Sequence, residues 1–487
     1  MSGSVRGAPG DGRPYRDFSN PPIIVRENKR SPLLGYAGIV PARNLIKRLD
    51  IPSVLDSNIS VLKRHNPYFE SDHILNFVYN FLTGGEVIND IERVQEAKGM
   101  LRMLGTERIP DPTTAGDFLV RFGEKDIEAF QSSLDQIQDS AFSLLDRKRK
   151  DLATIEHDSS IHQVYGQKKE GADYAYENTY SYNVQYVTLA ETGDVLYQEL
   201  REGNRYSSFG LSAILPGILD RVGNHFKQLR YRADSASYDK DIVGPCDERG
   251  VEFYISADQT KRLMREVAGI EEGAWKCFRS MKLRTTRKKR PVKKRKKRKN
   301  HKKAVLDRRK PDRQRRGQTH IASLFYQPVG WQKQYRFVVK RTEIIDKHGQ
   351  LYLEEGLCQY FYHIIVTNNF DASDTRVMHI AQGRANQENL IKDFKYGLGL
   401  SHVPTGFFLA NQIYFKIAAL AWNIKTWMLN LLSLGNGAVL RFKRFLYLWI
   451  NHACIVSKTG RDSVLIRMDP GEYFSRYANA LDAVARL

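Results

Sequence analysis

Cysteine is scarce in this chain. Its 487 residues include four, Cys246, Cys277, Cys358 and Cys454, none in a C-x-x-C pair and none beside a histidine cluster. That argues against a disulfide scaffold or a structural zinc site and fits a reducing, intracellular setting. A long unbroken apolar run is also missing. The N-terminal MSGSVRGAPGDGRPYRDF lacks the apolar stretch of a secretory leader. The most apolar window, Phe407 to Leu432, is interrupted by Asn411, Gln412, Lys416, Asn423 and Lys425. It is expected as one or more buried helices and not as a membrane span.

Acidic residues are outnumbered, 55 against 76 Lys and Arg, giving a formal charge of +21. The excess is local. From Arg279 to Arg316 there are 22 Lys and Arg and two acids, Asp307 and Asp312, so this block holds +20 and leaves +1 for the rest. A block this dense calls for a polyanion such as a phosphate backbone, or it is a solvated linker or localisation-like patch. With almost no apolar residue it builds no core. It is expected to be extended or disordered in the free protein and to bind DNA without sequence preference.

What is present is ample core material: 41% hydrophobic residues, with 23 Phe and 25 Tyr, over a length that implies two to four domains. Residues 1–30 are rich in Gly, Pro, Arg and Ser and read as a disordered tail. Residues 31–150 are helical in pattern, in HILNFVYNFL and DIEAFQSSLDQIQDSAFSLL. Gly84 and Gly85 break the first run, and Asp111–Pro112 opens a helix expected to reach Phe122. A helix-turn-helix DNA reader and a plain helical bundle both satisfy this pattern.

Residues 151–260 change to three strands, helix, strand, helix, strand, with a hairpin turn at Gly193, which implies a mixed sheet flanked by helices. Residues 261–375 interrupt that order with β-like runs, HIASLFYQPV, YRFVVKRTEII and QYFYHIIVTNN, expected as an insertion with its own small sheet. Helices return over 376–440, and 441–487 form a C-terminal region that includes FLYLWINHACIV, readable as helix or strand.

Three acids stand out. Asp158, in TIEHDSS, is expected at the end of the first strand, and Asp234, in RYRADSASY, at the end of the fourth, where α/β sheets expose polar groups to a crevice. Taken singly, each could equally be a turn former or a helix cap, and Glu156 and Asp258 compete nearby. Glu388 lies in GRANQENLIKDFKYGLGL, where Arg384, Glu388 and Lys395 share one helical stripe with Lys392 close by. A solvent face with ion pairs accounts for that stripe as well. A joint chemical account is also available: three hard carboxylates suit divalent metal ions in phosphodiester transfer, with the cations on DNA phosphates.

At IEHDSS, YGQKKEGADYAY, LREGN, RYRADSASY and the long run from RANQENL to AALAWN, the chain resembles prokaryotic insertion-sequence DDE transposases, in the group with a Tyr–Arg–Glu–Lys signature. The resemblance extends from about Leu33 to Leu487. Arg384, Glu388 and Lys395 match the signature's spacing, whereas its tyrosine position holds Ala381; Glu156 fits an acid often found two residues before the first catalytic one. The resemblance implies an α/β, RNase H-like mixed sheet flanked by helices, after a helical N-terminal DNA-binding domain and split by a β-rich insertion. It implies Asp158, Asp234 and Glu388 as catalytic metal ligands for two Mg²⁺ ions, with Mn²⁺ as a substitute. Arg384, Lys392 and Lys395 would contact DNA. Trp331, in the insertion, would stack on a flipped base, against a plain role in the core. The implied partners are double-stranded transposon-end and target DNA and a second copy of the chain, without a membrane, in the cytoplasm at the nucleoid. An RNase H-like nuclease without strand transfer and a catalytically silent DNA-binding derivative are the alternatives.

Overall fold

The computed structural model describes residues 33–278, 315–345, 353–354, 357–358, 360–459 and 463–487, apart from positions 167 and 176. Nearly all of the basic block, and the tail at 1–30, therefore fall outside the described residues.

A two-residue strand, β1 (Leu33–Leu34), precedes seven helices: α1 (Ile39–Arg48), α2 (Ile51–Asn58), α3 (Glu70–Leu82), α4 (Ile91–Glu96), α5 (Lys98–Leu104), α6 (Pro112–Leu119) and α7 (Glu124–Ser143). Asp111 caps α6 by accepting from the Thr114 amide at 3.0 Å. That helix stops at Leu119, short of the expected Phe122, although Phe118, Leu119 and Phe122 are all buried. Helix α3 is buried on nearly every side, polar residues included, so it cannot enter a DNA groove as a recognition helix.

Strands β2 (Ala153–Gln163), β3 (Asp173–Tyr174), β4 (Tyr180–Leu189) and β5 (Val195–Arg201) follow, with Gly193 at φ +85° in the β4–β5 turn. Then come α8 (Leu211–Gly223), β6 (Leu229–Ala233), α9 (Lys240–Glu248), β7 (Glu252–Ser256), α10 (Lys261–Ala268), β8 (Lys276–Cys277), β9 (Arg315–Tyr326) and β10 (Tyr335–Ile345). A small hairpin, β11 (Leu353–Glu354) and β12 (Leu357–Cys358), leads to β13 (Tyr360–Thr367). The chain ends with α11 (Asp374–Gln382), α12 (Ala385–Gly397), α13 (Phe408–Leu431), α14 (Phe442–Phe445), β14 (Cys454–Thr459), β15 (Ser463–Arg467) and α15 (Glu472–Arg486).

The expected mixed α/β architecture forms. Its centre runs β5-β4-β2-β6-β7, with β2, β6 and β7 parallel and β4 antiparallel to both of its neighbours β2 and β5. The insertion's long strands do not form the separate sheet that the sequence predicts. Its strand β13 pairs antiparallel with β7, and β10, β9 and β8 continue outward, so one sheet contains ten of the described strands. The reason is visible in the burial. Phe337, Val339, Ile364 and Val366 join the core on one face, while Val338 and Ile365 join Tyr254 under α11 on the other. Period-two burial on both faces needs a continuous two-sided sheet.

Helices α8, α9 and α10 cover the first face. The N-terminal helices, α12 and α13 share one core with β4 and β5. Helix α13 is the apolar window of the sequence: a single 24-residue buried helix, polar residues included. Among the described residues no helix is long and apolar enough to cross a membrane. FLYLWINHACIV divides into α14, a wide turn at Leu446–Ile450 and the start of β14, which joins β1 and β15 in a three-stranded sheet.

Candidate active site

Asp158 sits in the middle of β2 and not at its end, because β2 runs on to Gln163 beside β4. Its pairing with β6, however, stops at His157 opposite Ala233. The carboxylate thus emerges one residue past the point where the sheet loses its strand on that side. Asp234 follows β6 directly and caps the short turn Ser235–Ser237 by accepting from the Ala236 amide. Parallel register puts the two acids side by side at the same edge.

One guanidinium joins them. A single terminal nitrogen of Arg384 lies 2.9 Å from Asp158 Oδ2 and 3.0 Å from Asp234 Oδ2. Arg384 is the residue before α12, where the chain turns from α11, and so lies just outside the helix expected to hold it. Burial and the neighbouring Asp234 charge raise the Asp158 carboxyl above its usual range, opposed by Arg384. Burial works against the Arg384 charge, but Asp158, Asp234 and Glu388 together hold its pKa above the ordinary arginine value.

Glu388, exposed in the first turn of α12, thus belongs to the electrostatic surroundings of Arg384. It does not complete a cluster with the aspartates: among the described residues no three acidic, histidine or cysteine side chains are gathered closely enough to hold a metal ion. In kind, the donors fit a divalent cation. Two hard carboxylates from adjacent strands already share one positive charge.

The DNA-contact candidates divide. Lys392 is exposed on the outer side of α12. Lys395 is half-buried and donates to the Ile161 carbonyl at 2.6 Å, which ties α12 to the far end of β2. Trp331 lies in the β9–β10 turn, with its ring 5.1 Å from Tyr238 and 5.5 Å from Tyr335. It is partly buried at the margin of the core and borders a cavity of about 650 Å³ shared with α9.

The sequence reading missed the support beneath the acids. Glu156 is no rival ligand: it is 1% exposed and accepts from Arg232 Nε at 2.8 Å. Arg232 also donates to the Ile380 carbonyl in α11, so a buried ion pair links β2 and β6 to the helix leading to Arg384. Gly383 makes room for it; a Cβ there would meet the Arg232 guanidinium at 2.2 Å. On the other face, His157 Nδ1 lies 3.2 Å from Ser237 Oγ, which accepts from the Tyr231 hydroxyl, and Gln185 donates to His157 Nε2. Burial first, then Arg201 and Arg384, push that imidazole down to about 3, so it stays neutral. A signal was present: E-x-D in β2 and R-x-D in β6 place Glu156 opposite Arg232 one step before the two aspartates.

No curated protein matches the chain. A solved structure of piggyBac transposase, a synaptic complex with hairpin DNA, is similar at 11% identity with a TM-score of 0.41, covering 85% of this chain and 80% of that one. A family model described as transposase DDE domain group 1 matches residues 32–461, a span that includes Asp158, Asp234, Arg384 and Glu388. The chain belongs to the DDE transposase domain family, group 1.

Proposed function

We propose that this protein binds transposon-end DNA, cuts it and joins it to a target in a metal-dependent reaction, with Asp158, Asp234 and Glu388 as its catalytic acids. The observation that carries this reading is the convergence of Asp158 and Asp234, from adjacent parallel strands, on the Arg384 guanidinium. Order β5-β4-β2-β6-β7, with an antiparallel meander of β2, β4 and β5 followed by parallel β6 and β7, supports an RNase H-like catalytic domain split by the strands that extend it.

The three carboxylates would hold two Mg²⁺ ions, or Mn²⁺ in their place, which when bound stabilise the charge on the attacking and leaving oxygens of a phosphodiester. Closing that set requires α12 to bring Glu388 towards the sheet edge. Arg384 stands at the turn where such a shift would act, and its guanidinium, released from the carboxylates, is placed to take a phosphate oxygen. In cleavage a water oxygen bonds to phosphorus as the bond to the departing 3′ oxygen breaks, leaving a 3′ hydroxyl. In joining, that hydroxyl attacks target DNA in the same way. Lys392 and Lys395 contact the backbone along α12, and Trp331 stacks on an unpaired base. The active form is a homodimer on double-stranded DNA, and the protein works in the cytoplasm at the nucleoid.

Product analysis tests this. Wild-type protein with Mg²⁺ should nick transposon-end duplexes and join them to target DNA, while Asp158→Ala, Asp234→Ala and Glu388→Ala bind the same duplex and leave it uncut. Cleavage at a wild-type rate in any of the three removes that residue from the catalytic set. Nicking without joined product supports the hydrolytic alternative.

A further inference from the structure

The outer face of α12 continues past Glu388 into a second site. Gly397 lets α14 pack directly on α12, since a Cβ there would lie 2.9 Å from Phe442 Cβ. The junction is fixed by the Phe442 amide, which donates to Asp393 Oδ2 at 2.7 Å, and by Phe442 stacking on Trp422 in α13. Above it opens a groove of about 560 Å³, lined on one side by Lys392 and Tyr396 and on the other by Arg441, Lys443 and Arg444. Asp393 is the acid of this lining, and one of its oxygens is used by the Phe442 amide. Lys443 pairs with Glu86 at 2.7 Å. Lys392, Arg441 and Arg444 have no carboxylate within salt-bridge distance among the described residues.

Aromatic rings are set among these cations. Tyr396 is 53% and Tyr447 58% exposed. The Arg444 guanidinium lies 4.9 Å from the Tyr447 ring centre, and Tyr396 lines the groove beside Lys392. A double helix hides its base faces, so exposed rings beside unpaired cations fit a single strand, whose bases stack while its phosphates are neutralised. On α12, Glu388, Lys392 and Tyr396 follow at four-residue steps, so the groove leads straight away from the candidate catalytic acid.

We propose that the α12–α14 groove binds the unpaired DNA strand continuing beyond the cut, with Arg441 and Arg444 on its phosphates and Tyr396 under a base. The assignment of this strand rests on the catalytic reading above, whereas single-strand binding as such does not.

The test is fluorescence anisotropy with the full-length chain in EDTA, using a blunt duplex and the same duplex with an oligothymidine tail. Arg441→Gln/Arg444→Gln should bind the tailed duplex at least tenfold more weakly and the blunt duplex within twofold of wild type. Its salt slope on the tailed DNA should be shallower by about 0.7 per arginine removed. Tyr396→Ala should weaken tail binding about fivefold or more without changing that slope. Lysine at both arginine positions should restore most of the lost affinity, showing that charge and not misfolding is responsible. Equal weakening on both DNAs would overturn the proposal in favour of a duplex-backbone surface, and unchanged binding would remove DNA from the groove. Because no metal is present, these outcomes are independent of cleavage. Failure of the catalytic alanine series with tail discrimination intact would reject the reaction while leaving the groove a single-strand site.

Discussion

Arg384 is the residue on which the site turns. Its guanidinium, 20% exposed, is the cation between Asp158 and Asp234, which are 16% and 32% exposed. Removing it leaves two like charges facing each other at a partly buried edge. Between the small worth of exposed pairs and the larger cost of breaking buried ones, about 1–3 kcal/mol is expected. Arg384→Ala should therefore melt several degrees below wild type in EDTA. Saturating Mg²⁺ should raise the variant's melting temperature more than that of wild type. An equal metal-induced shift in both proteins would mean that arginine and metal do not compete for these carboxylates. For Glu156 and Arg232 no metal response is expected. Their pair is buried, so Arg232→Ala should cost about 3–5 kcal/mol whether or not metal is present, read from urea unfolding. A loss below about 1 kcal/mol would show that Arg232 is not what fastens α11 to the sheet.

Helix α13 joins the N-terminal helices to the sheet and carries two buried lysines. Lys416 donates to Gln131 in α7 and to the Gln198 carbonyl in β5, and Lys425 donates to the Gly437 carbonyl beside the Trp422 ring. Burial, opposed by Glu199 and Asp135, pushes Lys416 down to about 8. Burial, opposed by Asp393 and Asp194, pushes Lys425 down to about 7. Both are depressed from an unfolded value near 10.5, so between about 7 and 10 the unfolded chain binds more protons than the native one. Their contribution to stability accordingly rises with pH across that window and is lost as pH falls through 8 and then 7. Urea unfolding should show wild type gaining stability from pH 7 to 9, and Lys416→Met/Lys425→Met should show a flatter profile there. Parallel profiles would mean that these lysines are solvated or paired in a way that leaves their pKa values unshifted.

At the scale of the whole molecule, the sequence was legible where local pattern and long-range packing agree. The β-branched and aromatic content around TIEHDSS and RYRADSASY predicts the strands leading to Asp158 and Asp234, and the polar breaks in Phe407–Leu432 mark a buried helix. Pattern did not reveal which neighbours each strand would acquire. The runs HIASLFYQPV, YRFVVKRTEII and QYFYHIIVTNN read as strands of a separate sheet because nothing local says that β13 pairs with β7. The same limit affected the site. Arg384, Glu388 and Lys395 were read as one stripe, yet Arg384 precedes α12 and reaches back to two strands. Glu156 reads as a competing ligand from local sequence because its partner Arg232 lies 76 residues away.

On the proposed mechanism, Asp158, Asp234 and Glu388 form one metal site once α12 has closed on the sheet edge. Anomalous diffraction at the manganese edge, from crystals of the protein with transposon-end DNA and Mn²⁺, measures this directly. Density is expected about 2.1 Å from carboxylate oxygens of all three residues, with Arg384 withdrawn from the aspartates and on a phosphate. Manganese bound elsewhere, or Arg384 still bridging Asp158 and Asp234 at saturating metal, would contradict it.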